Sequence, residues 1–280
     1  MSVTALSAED FRVFRDYFYK KTGIEFEESK RYFVDKRILT RIAATGAGSF
    51  REYFVGMRFE ASQKEFQNIV NLMTVNETYF NREDHQFRTL SQHVLPEIVA
   101  RREQSGKPIR ILSLPSSTGE EPYSIALHLI AHWPGLAQHD VEISGADIDT
   151  EVLRRARAGV FSRRSVQNLP ANVLATHFTA LSDGKFQLSD DIREAVHFFR
   201  VNISEPADTR KLRDYDVVFC RNMLIYFDDQ SRRLAIEAIY DALVPGGFLF
   251  LGHSESISRT SALFALRRFP EAIVYQRPHT

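Results

Sequence analysis

The segment IRILSLPSSTGEEPYS, residues 109–124, decides the fold because it passes from an apolar strand through a turn of small residues into a helix. Gly119 lets a backbone approach a ligand closely, and Pro122 suits the first turn of a helix. Glu120 and Glu121 bring negative charge to the positive end of that helix. The segment predicts either a ligand-binding turn or an ordinary well-capped connection, and it lacks the G-x-G-x-x-G fingerprint of dinucleotide-binding folds.

Similar apolar strands recur towards the C-terminus and alternate with helical segments. The predicted strands are VEISGAD (141–147), AVHFFRVNIS (195–204), DVVFCRN (216–222) and GFLFLGH (247–253), and the predicted helices are 120–132 and 229–243. This alternation predicts a parallel α/β sheet. Residues 263–277 predict a closing antiparallel hairpin, and residues 159–195 interrupt the rhythm and predict an inserted β-subdomain.

The N-terminal part has the spacing of helices instead. Phe11, Phe14 and Phe18 recur as on one helix face, and Ser7 and Ser49 are typical helix starts. The expected organisation is a helical N-terminal domain (1–75), an interdomain linker and helix (76–107) and an α/β domain (108–280).

Composition excludes several functions. Thirty-six basic and 36 acidic residues give no net charge, so nucleic acid is not an expected partner. A single cysteine, Cys220, excludes an internal disulfide and favours a reducing compartment, and the histidines and carboxylates suggest no metal site. No signal layout and no long apolar stretch is present, so the prediction is a cytoplasmic protein without direct membrane insertion.

Residues that follow the strands are the candidates for binding, because ligands of open α/β sheets lie beyond the carboxyl ends of the strands. Asp147 could accept the two hydroxyls of a ribose or could cap the next helix, although Asp149 is the more natural cap. Asn222 could hold a ribose or amino-acid group and Tyr226 could lie over a reacting centre. In isolation, a structural role is favoured for each.

Taken together, six strings resemble the CheR-type chemotaxis receptor methyltransferase family, which uses S-adenosylmethionine. They are residues 76–82 (NETYFNR), 117–126 (STGEEPYSIA), 146–150 (ADIDT), 201–203 (VNI), 219–228 (FCRNMLIYFD) and 245–255 (PGGFLFLGHSE). They occur in the family's order over nearly the whole chain. The resemblance implies an α/β fold, namely a Rossmann-like methyltransferase domain with a small β-subdomain insertion at about 159–195, preceded by an all-α N-terminal domain.

The resemblance also implies a cofactor site and a chemistry. The expected reaction is methyl transfer from S-adenosylmethionine to glutamate carboxylates of chemoreceptor cytoplasmic helices, with S-adenosylhomocysteine as the product. Arg82 and Tyr226 would lie beside the transferred methyl as catalytic residues. The residues expected to bind the cofactor are Asn76, Thr78, Arg82, Glu121, Asp147, Asn202, Ile203, Asn222 and Met223. Leu114 and Pro115 are bulkier and stiffer than this family usually has before residue 117, so weakened cofactor binding is expected.

A basic helix suggests how the substrate is held. Lys30, Arg37 and Arg41 lie on one face of the predicted helix 29–44, and in this family such a face meets the acidic methylation region of the receptor coiled coil. Without the resemblance, a solvated face would be the simpler interpretation. The short turn at residues 179–185 predicts that no C-terminal receptor pentapeptide tethers this protein.

Two other functions stay open at this point. One is a non-catalytic module that binds S-adenosylmethionine or S-adenosylhomocysteine within a signalling assembly. The other is a carboxyl methyltransferase for small molecules, which the basic helix disfavours because such a helix suits an extended acidic surface.

Overall fold

The computed structural model describes residues 5–102, 106–257 and 262–279. Residues 1–4 of the predicted N-terminal domain, 103–105 of the predicted linker, and 258–261 and 280 of the predicted C-terminal domain lie outside the described residues.

Within the described residues from 5 to 74, four helices build the N-terminal part. They are α1 (Ala8–Thr22), α2 (Arg31–Thr45), α3 (Phe50–Phe59) and α4 (Lys64–Met73), with a 3₁₀ turn at Glu28–Lys30 before α2. The hydroxyl of Ser7 accepts from the Asp10 amide while the Asp10 side chain accepts from the Ser7 amide, a reciprocal cap that fixes the start of α1. Phe11, Phe14 and Phe18 are buried between these helices as their spacing predicts.

A second helical segment connects this part to the sheet. It consists of α5 (His85–Thr89), a short π-helix (Leu90–Val94) and α6 (Leu95–Arg102). Its apolar side packs against the sheet through Phe87, Leu90 and Ile98.

Among the described residues, the main sheet has seven strands: β1 (Ile109–Ser113), β2 (Val141–Asp147), β6 (Val196–Arg200), β7 (Tyr215–Cys220), β8 (Leu243–Leu251), β9 (Ala265–Arg268) and β10 (Ile273–Gln276). They lie in the order β6-β2-β1-β7-β8-β10-β9. The first five in this order are parallel, and β10 and β9 add an antiparallel hairpin at one edge. Chain order reverses between β1 and β7, which places the crevice expected of such folds at their carboxyl ends.

The helices that connect these strands are α7 (Glu120–His132), α8 (Thr150–Ala158), α12 (Pro206–Thr209) and α13 (Asp229–Ala242). Apolar clusters lie on both faces of the sheet. The predicted α/β fold behind an all-helical segment is therefore confirmed.

The chain between α8 and β6 forms a separate small sheet. Strands β3 (Val160–Phe161), β4 (Phe178–Ala180) and β5 (Phe186–Leu188) pair antiparallel in the order β3-β5-β4, together with α9 (Arg163–Val166), α10 (Ala171–His177) and α11 (Asp190–Glu194). Phe80 packs against Phe161 and Phe178, so this small sheet contacts the linker that precedes α5.

The bounds of two predicted strands differ most from those in the structure. The strand predicted over 247–253 runs from Leu243 to Leu251, and the other is shortened where polar side chains accept from backbone amides. The strand predicted over 195–204 ends at Arg200, because Asp208 accepts from the Asn202 amide and the Asn202 side chain accepts from the Ser204 amide. Within the described ranges, no helix combines the length and the apolar character needed to cross a bilayer.

Candidate functional site

A cavity of about 250 Å³ lies at the carboxyl ends of β1, β2 and β7, between the sheet and the N-terminal helices. Its wall includes Asn76, Thr78, Arg82, Glu121, Asp147, Asn202, Ile203, Asn222, Met223 and Tyr226, and also Lys30. The structure thus brings together every residue predicted to bind the cofactor or act in catalysis, from segments as far apart as 76–82 and 222–226. Their individual roles stay predictions.

The turn after β1 forms one wall. The Leu114 amide donates to the Phe219 carbonyl of β7 and the Ser116 amide to the Ala146 carbonyl of β2, so both neighbouring strands hold it. Gly119 has a φ of 96°, and a Cβ there would lie 3.0 Å from Ala156 and Tyr123, which explains the glycine. The hydroxyls of Ser116 and Ser117 are buried in this wall and have no hydrogen-bond partner in the described structure.

Asp147 lies at the end of β2 with only 3% of its surface exposed. Its carboxylate accepts from the Ser117 amide at 2.8 Å and the Asp149 amide at 3.0 Å. Burial raises its pKa to about 6, and these amide hydrogen bonds oppose the rise. No guanidinium or ammonium in the described chain pairs with it, so its remaining lone pairs can accept from ligand hydroxyls.

Asp149, not Asp147, caps the following helix. One of its oxygens accepts from the Glu151 and Val152 amides at the start of α8. The other accepts from the Thr74 hydroxyl at 2.6 Å and the Asn76 amide group at 3.0 Å. Asn76 therefore lines the cavity, but its side-chain donors hold the linker onto the sheet.

Glu121 faces the cavity from the first turn of α7. Its carboxylate accepts from the Ser113 hydroxyl at 2.8 Å and the Arg221 guanidinium at 3.0 Å. Burial raises its pKa, whereas Arg221 and Ser113 lower it.

Asn202 joins the sheet to the N-terminal helices. Its amide group donates to the Lys21 carbonyl at 2.7 Å, and the hydroxyl of Ser204 donates to the Thr22 carbonyl at 2.8 Å. A Cβ at Gly23 would lie 2.5 Å from the Ser204 hydroxyl, so glycine permits this close contact. Asn202, which is predicted to bind the cofactor, thus also connects the sheet to the N-terminal helices beside the cavity.

The loop after β7 carries Asn222, Met223 and Tyr226. Asn222 adopts a left-handed φ of 60°, and the Glu255 carboxylate accepts from the amides of Asn222 and Leu224 at 2.7 and 2.8 Å. The Glu255 side chain therefore fixes the conformation of the loop by accepting hydrogen bonds from its backbone amides. Tyr226 lies at the cavity mouth, where burial raises its pKa and nearby Arg82 opposes that rise.

Arg82 enters the cavity from the linker. Its guanidinium donates to the Glu77 carbonyl at 3.1 Å and lies 5.7 Å from the centre of the Tyr79 ring. Among the described residues, no carboxylate forms an ion pair with it. The neighbouring acids are engaged elsewhere, since Glu83 pairs with Arg221 and Asp84 pairs with Arg88.

The three basic residues predicted to meet the receptor lie in different surroundings. Lys30 is exposed at the cavity wall. Arg37 donates to the carbonyls of Leu72 and Phe33 and stacks on the Phe33 ring at 3.3 Å. Arg41 forms a partly buried ion pair with Glu65 at 2.7 Å. Arg37 and Arg41 thus also make contacts within the helical bundle. Of the three predicted residues, Lys30 is the one whose side chain is exposed at the cavity.

Sequence reasoning missed Arg221, which contacts the predicted site residues Glu121 and Arg82, and Glu83, which pairs with Arg221. It also overlooked His128 and His132, four residues apart on α7 with ring centres 4.8 Å apart. Burial lowers the pKa of His128 to about 4. Within the described chain, no group of three or more metal-ligating side chains accompanies this pair.

Comparison with known proteins adds family information to this geometry. Residues 9–74 match the family model described as CheR methyltransferase, all-alpha domain, and residues 76–273 match the CheR methyltransferase, SAM binding domain. The chain is 54% identical over 279 residues to chemotaxis protein methyltransferase 2 of Vibrio cholerae, covering 100% of this chain and 96% of that protein. It is 37% identical to chemotaxis protein methyltransferase 2 of Pseudomonas aeruginosa (91% and 89% covered) and 34% identical to the chemotaxis protein methyltransferase of Escherichia coli (94% and 90% covered).

Proposed function

This chain belongs to the CheR methyltransferase family, and from that membership we propose that it methylates glutamate side chains on the cytoplasmic helices of chemoreceptors. It is an S-adenosylmethionine-dependent methyltransferase. The observation that carries the proposal is the cavity at the strand ends, where Asp147 and Glu121 lie together with Arg82 and Tyr226. The family match does not favour a non-catalytic binding module.

The residues of the cavity fit this cofactor. The carboxylate of Asp147 lacks a cationic partner in the described chain and can accept from ribose hydroxyls, and that of Glu121 can accept from the cofactor's ammonium group. The unpartnered hydroxyls of Ser116 and Ser117 offer further polar contacts. When bound, S-adenosylmethionine supplies an electrophilic methyl on a sulfonium.

The substrate glutamate needs little acid or base assistance. A glutamate carboxyl has a pKa of about 4.3 and is already ionised at neutral pH. The protein's main task is therefore alignment, which can lower a barrier by roughly 7–11 kcal/mol in favourable cases. In this proposal the Arg82 guanidinium holds the incoming carboxylate, and Tyr226 orients it at the cavity mouth.

Receptor recognition is proposed to start at Lys30, which is exposed and lies on the cavity wall. Arg37 and Arg41 would add positive charge on α2, which begins directly after Lys30, while keeping their contacts within the bundle. An acidic helix is a suitable partner for such a surface. In this proposal the protein works in the cytoplasm, where receptor methylation regions are accessible.

We further propose that no receptor pentapeptide tethers the protein. The turn between β4 and β5 is tight, with the Leu181 amide donating to the Lys185 carbonyl and the Gly184 amide donating to the Leu181 carbonyl. Such a turn offers a peptide few free backbone groups for strand addition. Micromolar calorimetric binding of C-terminal receptor pentapeptides would contradict this proposal, whereas methylation of receptors truncated at that end would support it.

The direct test of function is transfer of tritiated methyl from S-adenosylmethionine to receptor cytoplasmic fragments, followed by base-labile release of methanol. Fragments whose methylatable glutamates are changed to alanine are the matched control. Label released only from the unaltered fragments supports the proposal. Binding of the cofactor without transfer to a panel of receptors would instead support a sensor, and transfer only to free small acids would support a small-molecule enzyme.

A further inference from the structure

Arg221 is a buried cation between two carboxylates at the cavity. Its side chain is 2% exposed, and its guanidinium lies 3.0 Å from Glu121 and 3.3 Å from Glu83. The same guanidinium donates to the Arg82 carbonyl at 2.6 Å. One side chain thus contacts the helix that follows β1 and the linker that carries Arg82.

A purely structural ion pair would not be expected to have this arrangement, for two reasons. A buried guanidinium is costly to desolvate, and its Nε has no hydrogen-bond partner in the described structure. Within this group of three side chains, two carboxylates and one guanidinium leave an excess of one negative charge. That excess charge suits a cofactor with a sulfonium and an ammonium group.

We propose that Arg221 is a positioning residue that keeps Glu121 ionised and directed at the cofactor's ammonium group, and that Glu83 competes with Glu121 for the same guanidinium. The inference rests on the proposed function, because it requires that S-adenosylmethionine occupies this cavity. Glu121 contacts the ligand, whereas Arg221 and Glu83 act through Glu121.

The charged groups around Glu121 act on its pKa in opposite directions. Arg221 lowers the pKa of Glu121, and burial and Glu83 raise it. Cys220 is a buried thiol in the same neighbourhood, and His253 lies at 2.9 Å from Glu83 on the far side. Loss of Arg221 should therefore favour protonated Glu121, which cannot pair with an ammonium group, and loss of Glu83 should have the opposite effect.

The test measures calorimetric binding of S-adenosylhomocysteine between about pH 5 and 7, below the range of about 7.7–8.0 in which an α-amino group titrates. In Arg221→Gln we expect the pH midpoint of binding to move upward. At pH values below the midpoint, affinity should then fall roughly tenfold for every pH unit by which the midpoint moves. In Glu83→Gln we expect affinity at the acidic end to rise. Asp147 titrates in the same range in every variant, so differences from the parent protein isolate Glu121.

Two further variants separate positioning from stability. Arg101→Gln is the matched control, because Arg101 also serves a buried carboxylate, Asp216, but neither lines the cavity. It should lower the melting temperature without moving the pH midpoint. Adding Glu121→Gln to Arg221→Gln should abolish the pH dependence that Arg221→Gln introduces.

Unchanged pH midpoints in both Arg221→Gln and Glu83→Gln, or midpoints that move in the same direction, would overturn the inference. If Arg221→Gln does not fold, Glu83→Gln decides alone, and no gain of affinity at acidic pH would overturn it. Failure of the parent protein to bind S-adenosylhomocysteine would instead contradict the proposed function.

Discussion

The main sheet buries one carboxylate near the amino ends of its parallel strands and one near their carboxyl ends, and the two have different hydrogen-bond partners. Asp216, at the start of β7, is fully buried and receives the guanidiniums of Arg101 and Arg102 and the amide of Arg110. Asp147, at the end of β2, receives backbone amides and no cation from the described chain. The charge of Asp216 is therefore paired within the chain, whereas the carboxylate of Asp147 has no cationic partner among the described residues.

The same contrast is visible in the electrostatics. Burial raises the pKa of both carboxyls, but at Asp216 the Arg110 amide and two guanidiniums oppose the rise. At Asp147 the pKa reaches about 6 because only amides oppose it. At one end of the sheet the chain therefore supplies cations to the buried carboxylate, and at the other end it supplies only backbone amides.

The largest expected effect tests the structural end. Asp216→Ala leaves two guanidiniums without their buried partner, and breaking such a pair should lower the free energy of unfolding by about 3 kcal/mol. Urea denaturation measures this loss, and calorimetry should show little change in affinity for S-adenosylhomocysteine. Asp190→Ala, at an exposed ion pair, is the control and should cost under about 0.5 kcal/mol. A larger effect of Asp216→Ala on binding than on stability would break the comparison.

The next effect tests the binding end. Asp147→Ala removes an ionised acceptor for two ribose hydroxyls, so the Kd for S-adenosylhomocysteine should rise about a hundredfold, or about 2.7 kcal/mol. Turnover at saturating cofactor should change little, because a ribose contact is made equally in the ground and transition states. Calorimetry and steady-state kinetics measure the two quantities. Reduced turnover with unchanged Kd would assign Asp147 to the chemical step.

Arg82 separates binding from chemistry within the cavity. Arg82→Ala should lower turnover about thirtyfold, or about 2 kcal/mol, because a charge-assisted contact to the substrate carboxylate is lost. Methyl transfer at saturating receptor and cofactor measures this, with Arg154→Ala on the exposed face of α8 as the control. An unchanged rate would show that Arg82 does not act beside the methyl.

The smallest effect is the pH dependence of stability at Asp147. The folded pKa of about 6 exceeds the ordinary value of 3.8, so the folded protein holds a proton over this interval that the unfolded chain releases. Stability should therefore fall as pH rises from about 4 to 6 and then level off. A pKa raised by about 2 corresponds to about 3 kcal/mol, and we expect roughly half because water can enter the cavity.

Urea unfolding of the parent protein and of Asp147→Asn, compared at about pH 4.5 and 7.5, isolates this contribution. The amide variant should gain relative stability at the higher pH. Any constant cost of a lost amide hydrogen bond cancels in the difference. A pH-independent difference would show that Asp147 titrates normally in the folded protein.

Much of the fold and the site could be predicted because the signals are local. The strand at 141–147 has the predicted bounds, and the helix at 229–243 ends one residue earlier than expected. The strand-end residues of the cavity could be placed together because parallel strands end at the same edge of a sheet. The resemblance supplied the linker residues, for which position alone gave no signal.

The assignments that were incomplete depend on partners far apart in the chain. Arg41 has the periodicity of a free basic face, but Glu65, 24 residues away, pairs with it. The amide of Asn76 is directed to Asp149, 73 residues away. Neither pairing has a sequence pattern, because helix periodicity identifies a face without identifying what packs against it.

The sequence by itself determined the alternation of strands and helices, the edge of the sheet at which the cavity lies and the family with its cofactor. Each of these depends on near neighbours in the chain or on strings long enough to resemble a family. Only the tertiary structure decided which charges meet. Arg221 and Glu121 are 100 residues apart, and Arg101 and Asp216 are 115 apart. Folding alone brings them within hydrogen-bonding distance, and the groups placed beside a buried carboxylate then decide how far its pKa departs from the ordinary value.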